Sequence, residues 1–363
     1  MSASPGRLKR VLITGGAGFI GTNLTARLLG RGHEVVVFDS LARPGSDANA
    51  GWLTATFSEG LEVIVGDIRD PVALGRAVRG IDHVVHLAAQ VAVTTSVSAP
   101  SADFDVNARG TLTLLETIRK SERPPSLTFT STNKVYGALD DIQLDAIGAR
   151  YVPTDARVRK HGISEDRPLD FHSPYGCSKG AADQYVLDYA RTFGLRTVVL
   201  RMSCIYGPHQ NGNEDQGWVA HFMRHAWTDR AAKIYGDGQQ VRDVLFIDDL
   251  LDAIELSQLF SERLSGRAFN IGGGVQHTLS LLELIEQVET LTGNKFDLAF
   301  SEWRVGDQRY YVSDTSRFSA ATGWQARIPP EQGLAALSDW ISGATGAEPR
   351  LIERASAATG IQP

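Results

Sequence analysis

Short apolar segments alternate with amphipathic helical stretches through the first two-thirds of the chain. The first segment, residues 10–14, is rich in β-branched side chains and predicts a buried parallel strand, whereas residues 19–29 have the apolar spacing of a helix. This alternation predicts an α/β fold in which helices cover both faces of a parallel sheet. Further strands are expected at residues 34–38, 61–65, 83–87, 127–130 and 197–201, and further helices at residues 102–120 and 173–192.

The pattern changes after Arg201. Glycine, aromatic and amide residues crowd positions 206–218, and the alternation becomes irregular, which indicates a smaller lobe. Residues 241–253 and 267–271 are again well patterned, and we expect them to return to the sheet, so that the two lobes interleave. The predicted organisation is a first domain over residues 8–203 with 240–277 returning to it, a second lobe over 204–239 and 278–342, and a flexible tail over 343–363.

Three glycines stand between the first predicted strand and the first predicted helix. Gly15, Gly18 and Gly21 are spaced three residues apart. Glycine at these places allows a tight turn, close approach of the backbone to a pyrophosphate, and packing of the helix on the strand. The positive end of the helix then faces the phosphates. The arrangement predicts a Rossmann-type, doubly wound sheet that binds a dinucleotide.

An acidic residue ends the second predicted strand. Asp39 lies near the distance of about 20 residues at which such folds grip the adenosine ribose. A carboxylate there would repel the extra phosphate of NADP. The nearby Arg43 weakens this preference for NAD over NADP, because its positive charge would attract the same phosphate. We therefore expect NAD as the cofactor, in a lobe named here the NAD-binding domain.

Tyr175 and Lys179 are spaced four residues apart and should share one face of a helix. A phenol has an ordinary pKa near 10, and a neighbouring ammonium together with the nicotinamide ring of NAD would stabilise its anion. The lysine can also hold the nicotinamide ribose. Ser131 and Thr132, at the end of a predicted strand, would position a substrate hydroxyl, because open α/β sheets bind ligands at carboxyl ends of strands. Together with the glycine loop, the pair indicates hydride transfer from a hydroxyl-bearing substrate.

Composition restricts the class of protein. The chain has 363 residues, a formal net charge of -6 and scattered basic residues, which argues against a nucleic-acid surface. Its two cysteines, Cys177 and Cys204, suggest no disulfide framework. Gly15 cuts short the apolar stretch near the start, so we expect neither a signal peptide nor a membrane span. A cytoplasmic enzyme without a metal site is the expectation, since the histidines show no metal-ligand spacing.

From residue 10 to about residue 342 the chain resembles the extended short-chain dehydrogenases that act as nucleotide-sugar epimerases and dehydratases. The motifs that carry this resemblance are residues 14–21, Gly66 with Asp67, residues 86–89, Asn107, Thr132, residues 135–137, Tyr175 with Lys179, Arg201 with residues 206–208, and Arg242 with Asp243.

The resemblance implies a catalytic set of Thr132, Tyr175 and Lys179. It also implies two groups of binding residues. The cofactor would be bound by Gly15, Gly18, Phe19, Ile20, Gly21, Asp39, Ser40, Arg43, Asp67, Ile68, Leu87, Ala88, Ala89, Gln90, Asn107, Thr130, Tyr175 and Lys179. The substrate would be bound by Thr94, Ser96, Thr132, Asn133, Cys204, Gln216, Arg242 and Arg304.

Three longer strings, residues 131–137, 170–185 and 215–218, resemble the branch of this family that inverts C2 of a CDP-activated sugar. Dehydratases of the family resemble one another in an Asp-Glu pair after the threonine, which eliminates water. Asn133 and Lys134 stand there in this chain, so dehydration is disfavoured. We expect an NAD-dependent nucleotide-sugar epimerase that oxidises C2 to a 2-keto sugar and reduces it on the opposite face. A 4-epimerase with the same chemistry is the alternative, and a non-catalytic NAD-binding scaffold is a rival of another class.

Two departures from the family bear on the substrate. Many relatives have Asn where this chain has Cys204, and a thiol cannot replace the amide that contacts the diphosphate. Gln216, Arg242 and Arg304 are the candidates to hold it instead, because guanidinium groups suit phosphate oxygens. The second departure is the long charged segment 138–171, which would cover the sugar or form a subunit contact. A homo-oligomer, dimer or tetramer, is expected.

Overall fold

The computed structural model describes residues 9–228, 231–304 and 306–343. Its strands are, in chain order, β1 Arg10–Thr14, β2 Glu34–Asp39, β3 Leu61–Val65, β4 His83–His86, β5 Ser126–Thr132, β6 Leu144–Ile147, β7 Arg150–Pro153, β8 Thr197–Met202, β9 Cys204–Tyr206, β10 Ala231–Tyr235, β11 Val241–Phe246, β12 Arg267–Ile271, β13 Thr278–Ser280, β14 Asp297–Ser301 and β15 Tyr310–Tyr311.

The helices connect these strands on both sides. They are α1 Phe19–Gly30, α2 Ser46–Thr56, α3 Pro71–Ala77, α4 Val93–Ser98, α5 Pro100–Phe104, α6 Gly110–Arg119, α7 Ala156–His161, α8 Ser173–Phe193, α9 Trp218–Trp227, α10 Ile247–Leu259, α11 Ser261–Leu264, α12 Leu281–Thr292, α13 Ser316–Thr322 and α14 Pro330–Gly343. Short turns of other helix types occur at Asp105–Arg109, Asn133–Tyr136 and Gly274–Gln276.

A seven-stranded sheet forms the centre of the molecule. Its order is β12-β8-β5-β4-β1-β2-β3, and every neighbouring pair is parallel. Alternate residues of a strand enter different clusters, since Val11 and Ile13 pack in one hydrophobic cluster and Leu12 in the other. Both faces of the sheet are therefore buried under helices, and the predicted Rossmann-type fold is confirmed.

The helix predicted over residues 102–120 is interrupted. Between α5 and α6 the chain forms a π-helical turn at Asp105–Arg109. The extra residue of such a turn brings Asn107 inward, where its amide donates to the Gln90 carbonyl (3.0 Å) and to Ser178 Oγ (3.0 Å). Apolar periodicity could not reveal this turn, because the residue that it buries, Asn107, is polar.

The C-terminal half returns to the large sheet only in part. Strand β12 joins the sheet as an edge strand, as expected. Strand β11 does not, which corrects the expectation for residues 241–246: it pairs with β9, β13 and β15 in a smaller sheet. The helix α10 that follows it does return, since it packs against β5 of the large sheet. Strand β9 follows β8 almost directly and diverts the chain into that smaller sheet. The boundaries proposed for the two lobes remain a prediction, and the tail proposed for residues 343–363 lies outside the described residues apart from Gly343, which ends α14.

The segment 138–171 folds against the C-terminal half. Its β6-β7 hairpin is fixed by Arg150, which forms a bidentate ion pair with Glu283 (2.7 and 2.6 Å). Farther along the segment, the Ile163 carbonyl accepts a hydrogen bond from the Asn270 amide (2.8 Å). No residue of the segment lines the two cavities described below, so it braces the small sheet rather than covering them.

Candidate active site

One cleft follows the carboxyl ends of β1, β2 and β4. It is lined by most of the residues predicted for the cofactor. These are Gly15, Gly18, Phe19, Asp39, Ser40, Arg43, Asp67, Ile68, Leu87, Ala88 and Ala89. The cleft lies where doubly wound sheets bind their ligands.

Two glycines of the loop, Gly15 and Gly21, leave no room for a side chain. Gly15 has a φ of +70°, and a Cβ added to it would lie 2.7 Å from the amide nitrogen of Ala88. A Cβ on Gly21 would lie 2.4 Å from the carbonyl oxygen of Gly15. Gly18 begins α1 without a side-chain cap, so the first N–H groups of the helix stay available for a ligand. This cradle fits the pyrophosphate of a dinucleotide.

Asp39 is fixed in place by two backbone amides. Its carboxylate oxygens accept hydrogen bonds from Ala17 N (3.0 Å) and Leu41 N (2.9 Å). A carboxylate offers about four acceptor positions, so acceptor capacity remains for ribose hydroxyls. Farther along the cleft, Asp67 forms an ion pair with Arg69 (2.5 Å), and the hydrogen bond from that guanidinium lowers the pKa of Asp67.

Several residues predicted to contact ligands lie behind the walls of the cavities. Asn107 is buried and supports Gln90 in two ways, since its amide oxygen also accepts from Gln90 N (2.9 Å). Ser96 is fully buried, and its hydroxyl donates to the Val93 carbonyl (2.7 Å). Thr130 contributes its carbonyl to another side chain, as described next. Ile20, Gly21 and Gln90 also do not line the cleft.

The three predicted catalytic residues are buried close to one another at the ends of β5 and α8. Thr132 is the last residue of β5, and Tyr175 lies in the first turn of α8. The Tyr175 hydroxyl makes a hydrogen bond with Thr132. The Lys179 ammonium donates to the Thr130 carbonyl (2.7 Å) and lies 4.2 Å from the centre of the Phe129 ring.

The electrostatics of this group differ from the expectation. Burial raises the pKa of Tyr175 to about 12, although the hydrogen bond from Thr132 and the charge of Arg43 act in the opposite direction. Burial also lowers the pKa of Lys179 to about 7. The neighbouring lysine does not lower the pKa of the phenol, since a lysine with a pKa of about 7 has already lost its charge at the pH where the phenol titrates. A positive group placed against Tyr175 is needed to make it a base at neutral pH.

A second cavity lies between the end of β5 and the C-terminal half. Six of the eight residues predicted for the substrate line it, and Ser96 and Thr132 do not. The six are Thr94, Asn133, Cys204, Gln216, Arg242 and Arg304. Gln216 also lines the cofactor cleft and makes a hydrogen bond with the Arg43 guanidinium, so it marks the boundary between the cavities.

The two predicted arginines have different partners. Arg304 lies 3.7 Å from a carboxylate oxygen of Glu214 and 3.5 Å from one of Asp215, and its guanidinium covers the Tyr235 ring at 3.6 Å. Arg242 donates instead to backbone carbonyls, those of Val241 (2.8 Å) and Gln308 (2.5 Å). Arg242 therefore keeps a net positive charge toward the cavity, whereas the charge of Arg304 is compensated.

Sequence reasoning missed one residue that lines this cavity and one that lies behind it. Lys134 stands out in the sequence only as the replacement for a carboxylate, yet its side chain lines the cavity. Gln308 is fully buried behind it, donates to the Gly137 carbonyl (2.6 Å) and accepts from the Asn133 amide (3.3 Å). The position next to Asn133 could have indicated Lys134, but no sequence signal pointed to Gln308.

Comparisons with known proteins agree with this geometry. Residues 11–272 match the model of the NAD dependent epimerase/dehydratase family. The chain is 41% identical over 342 residues to CDP-paratose 2-epimerase of Salmonella typhi, which covers 92% of this chain and 99% of that protein. It is 32% identical over 327 residues to UDP-glucose 4-epimerase of Mycolicibacterium smegmatis, which covers 90% of this chain and 96% of that protein.

A solved structure shows the same fold. The crystal structure of UDP-glucose 4-epimerase from Thermus thermophilus in complex with NAD superposes with a TM-score of 0.77 at 32% identity, covering 92% of this chain and 99% of that chain. The chain therefore belongs to the NAD-dependent epimerase/dehydratase family. The predicted family, enzyme class and NAD cofactor are confirmed. Within the described residues, no helix has the length and apolarity that a membrane crossing requires.

Proposed function

We propose that this member of the NAD-dependent epimerase/dehydratase family inverts C2 of a CDP-activated deoxy sugar, as in the conversion of CDP-paratose to CDP-tyvelose. The observation that carries the proposal is the 41% identity to a CDP-paratose 2-epimerase along almost the whole of both chains. The UDP-glucose 4-epimerase and dTDP-glucose 4,6-dehydratase relatives reach 32% and 30%. Asn133 and Lys134 also occupy the two positions at which the dehydratases have their carboxylate pair.

The proposed reaction uses the residues at the ends of β5 and α8. Bound NAD would accept the hydrogen of C2 with its electron pair and return it to the opposite face of the sugar. Tyr175 would take the proton of the C2 hydroxyl and give it back, while Thr132, hydrogen-bonded to the phenol, would hold that hydroxyl in line. The intermediate is a 2-keto sugar, which must rotate within the cavity to present its opposite face before it is reduced.

Lys179 and Arg43 have electrostatic roles in this proposal. Burial raises the pKa of Tyr175, so positive charge next to the phenol is required for the phenolate. Arg43 already lowers that pKa through its charge, and Lys179 can leave the Thr130 carbonyl to hold the nicotinamide ribose. The remaining predicted contacts in the two cavities belong to this proposal, as do a cytoplasmic location and a homo-oligomeric state.

A 4-epimerase is the second candidate, because the same three residues would act one ring position away. The 32% identity to UDP-glucose 4-epimerase is the observation that favours it. A non-catalytic NAD-binding scaffold does not require Thr132, Tyr175 and Lys179 to be gathered in a buried group, as they are here.

A substrate panel tests the proposal. The purified protein is incubated with CDP-paratose and, separately, with UDP-glucose, and the configuration of each sugar carbon is followed by proton NMR. We expect the CDP-sugar to invert at C2 and UDP-glucose to stay unchanged. Conversion of UDP-glucose at C4 would assign the chain to the second candidate, and no conversion of any nucleotide sugar by NAD-loaded protein would favour the scaffold.

A further inference from the structure

Lys134 lies at the junction of the catalytic residues and the substrate cavity. It follows Thr132 by two positions, and its backbone amide donates to the Thr132 hydroxyl (3.3 Å). The side chain runs into the cavity that Cys204 and Arg242 also line, and the ammonium donates to the Gly306 carbonyl (2.9 Å). An ammonium has three donors, so two remain for a ligand.

The charge of Lys134 has no carboxylate partner. Among the described residues, no carboxylate lies within salt-bridge distance of its ammonium, although Asp307 is near enough to favour the charged form. Burial lowers the pKa of Lys134 to about 8, and the nearby Arg242 acts in the same direction. The side chain is therefore mainly protonated at neutral pH and faces the cavity as a cation.

Lys134 and Arg242 thus form a pair of cations on the inner wall, each bonded only to backbone carbonyls. Arg304, the third basic residue that is partly buried, is already compensated by Glu214 and Asp215. Two partly desolvated cations that repel each other are unfavourable until an anion enters between them. An anion with two charges compensates both.

We propose that the Lys134 ammonium, acting together with Arg242, binds the diphosphate of the nucleotide-sugar substrate. This inference rests on the proposed function, since it requires a nucleotide diphosphate as ligand. It also accounts for Cys204, which stands where many relatives have an amide that contacts the diphosphate. Both cations lie close enough to the Cys204 thiol to favour its charged form. A phosphate oxygen placed next to that thiol would therefore be attracted by both positive charges.

The same substitution has a second effect. The ammonium form of Lys134, which dominates at neutral pH, has no lone pair to accept a proton, so it does not replace the carboxylate of the dehydratases. Lys134 therefore replaces one member of the dehydratase pair, as Asn133 replaces the other, and also supplies a phosphate contact. This ties the reaction type of this chain to its mode of substrate binding.

Calorimetric titration of the NAD-loaded protein with CDP and with CMP tests the inference. The variant is Lys134→Met, which keeps the length of the side chain and removes its charge. The matched control is Lys233→Met, because Lys233 lines the same cavity from an exposed position. We expect Lys134→Met to weaken CDP binding about 10- to 100-fold, as loss of a charge-assisted hydrogen bond does, and Lys233→Met to change it by less than about threefold.

The outcomes separate this inference from the proposed function. Unchanged CDP affinity in Lys134→Met with weakened binding of the whole CDP-sugar would assign Lys134 to the sugar and overturn the inference. A wild-type protein that binds neither CDP nor UDP would contradict the proposed function itself. If Lys134→Met does not retain NAD and a cooperative melting transition, Lys134→Gln replaces it. Failure of both variants to fold would assign the lysine to the fold and also overturn the inference.

Discussion

The cofactor cleft and the substrate cavity are built in different ways. The cleft is formed by consecutive strand-loop-helix units, and its shape is set mainly by backbone atoms. Glycines keep space free of side chains, and two backbone amides donate hydrogen bonds that fix Asp39. The substrate cavity gathers side chains from segments far apart in the chain, such as Asn133, Cys204 and Arg304. The first can be recognised from local spacing, whereas the second exists only after the C-terminal half has folded over the sheet.

The largest effect is expected where the two regions meet. Tyr175→Phe should reduce turnover on the order of 10²–10⁴-fold, because the ring still packs but the proton acceptor is lost. NAD should remain bound, since Tyr175 does not line the glycine cradle. Tyr185→Phe, an exposed tyrosine on the same helix, is the control. Near-normal turnover of Tyr175→Phe under single-turnover conditions would remove the phenol from the mechanism.

A single added methyl group should abolish NAD binding in the cofactor cleft. Gly21→Ala would place a Cβ 2.4 Å from the Gly15 carbonyl oxygen, so the loop must shift. We expect NAD to be absent from the purified variant and the protein to lose about 3 kcal/mol of stability, as overpacking against backbone does. Gly30→Ala, at the other end of the same helix, meets no atom within 4 Å and should keep both NAD and stability. Full NAD content in Gly21→Ala would show that the cradle tolerates a side chain.

The same contrast explains what could be predicted from the sequence. The strands of the large sheet, the glycine loop and Asp39 followed from apolar periodicity and fixed spacing, because each depends on neighbours in the chain. The π-helical turn at Asn107 did not, since a buried amide bonded to Gln90 and Ser178 determines it. The placement of β11 in the smaller sheet also depends on pairing with β9, a strand of only three residues.

The substrate residues were predicted through a resemblance, and the structure gathers six of the eight around one cavity. The contacts of Lys134 and Gln308 could not be predicted, for a physical reason. Their roles come from contacts with residues about 170 positions away, such as the hydrogen bonds from Lys134 to Gly306 and from Asn133 to Gln308. The spacing of residues along a short stretch of sequence does not indicate such contacts.

A smaller effect should separate the two dinucleotides. Asp39→Ala removes the acceptor predicted for the adenosine ribose and frees the amides of Ala17 and Leu41. NAD affinity should fall about tenfold, the loss expected for one charged hydrogen bond, and NADP affinity should fall less or rise. Fluorescence titration with both dinucleotides measures the ratio, and Asp47→Ala, an exposed acid on α2, serves as the control. An equal loss for NAD and NADP would mean that Asp39 only shapes the loop.

A further effect concerns the dependence of stability on pH. The pKa of Lys179 is about 7 in the folded protein, lowered by burial from its ordinary 10.5. Between these values the unfolded chain binds the proton and the folded protein does not, so stability rises with pH across this window, by at most about 1.4 kcal/mol per pH unit for this group. Lys179→Met should flatten the rise measured by urea unfolding between pH 7 and 10. Part of the rise should remain because Lys134, with a pKa of about 8, contributes with the same sign. Parallel curves for wild type and variant would contradict the assignment.

The central claim is that the sugar loses and regains its hydrogen at C2. The most direct measurement uses a CDP-activated deoxy sugar labelled with deuterium at C2 alone, in a single turnover followed by NMR and mass spectrometry. We predict a primary isotope effect, inversion at C2 and retention of the label at C2 of the product, because the same hydrogen leaves and returns without exchange with water. Inversion at C4 with C2 untouched, or loss of the label to solvent during inversion at C2, would contradict the account.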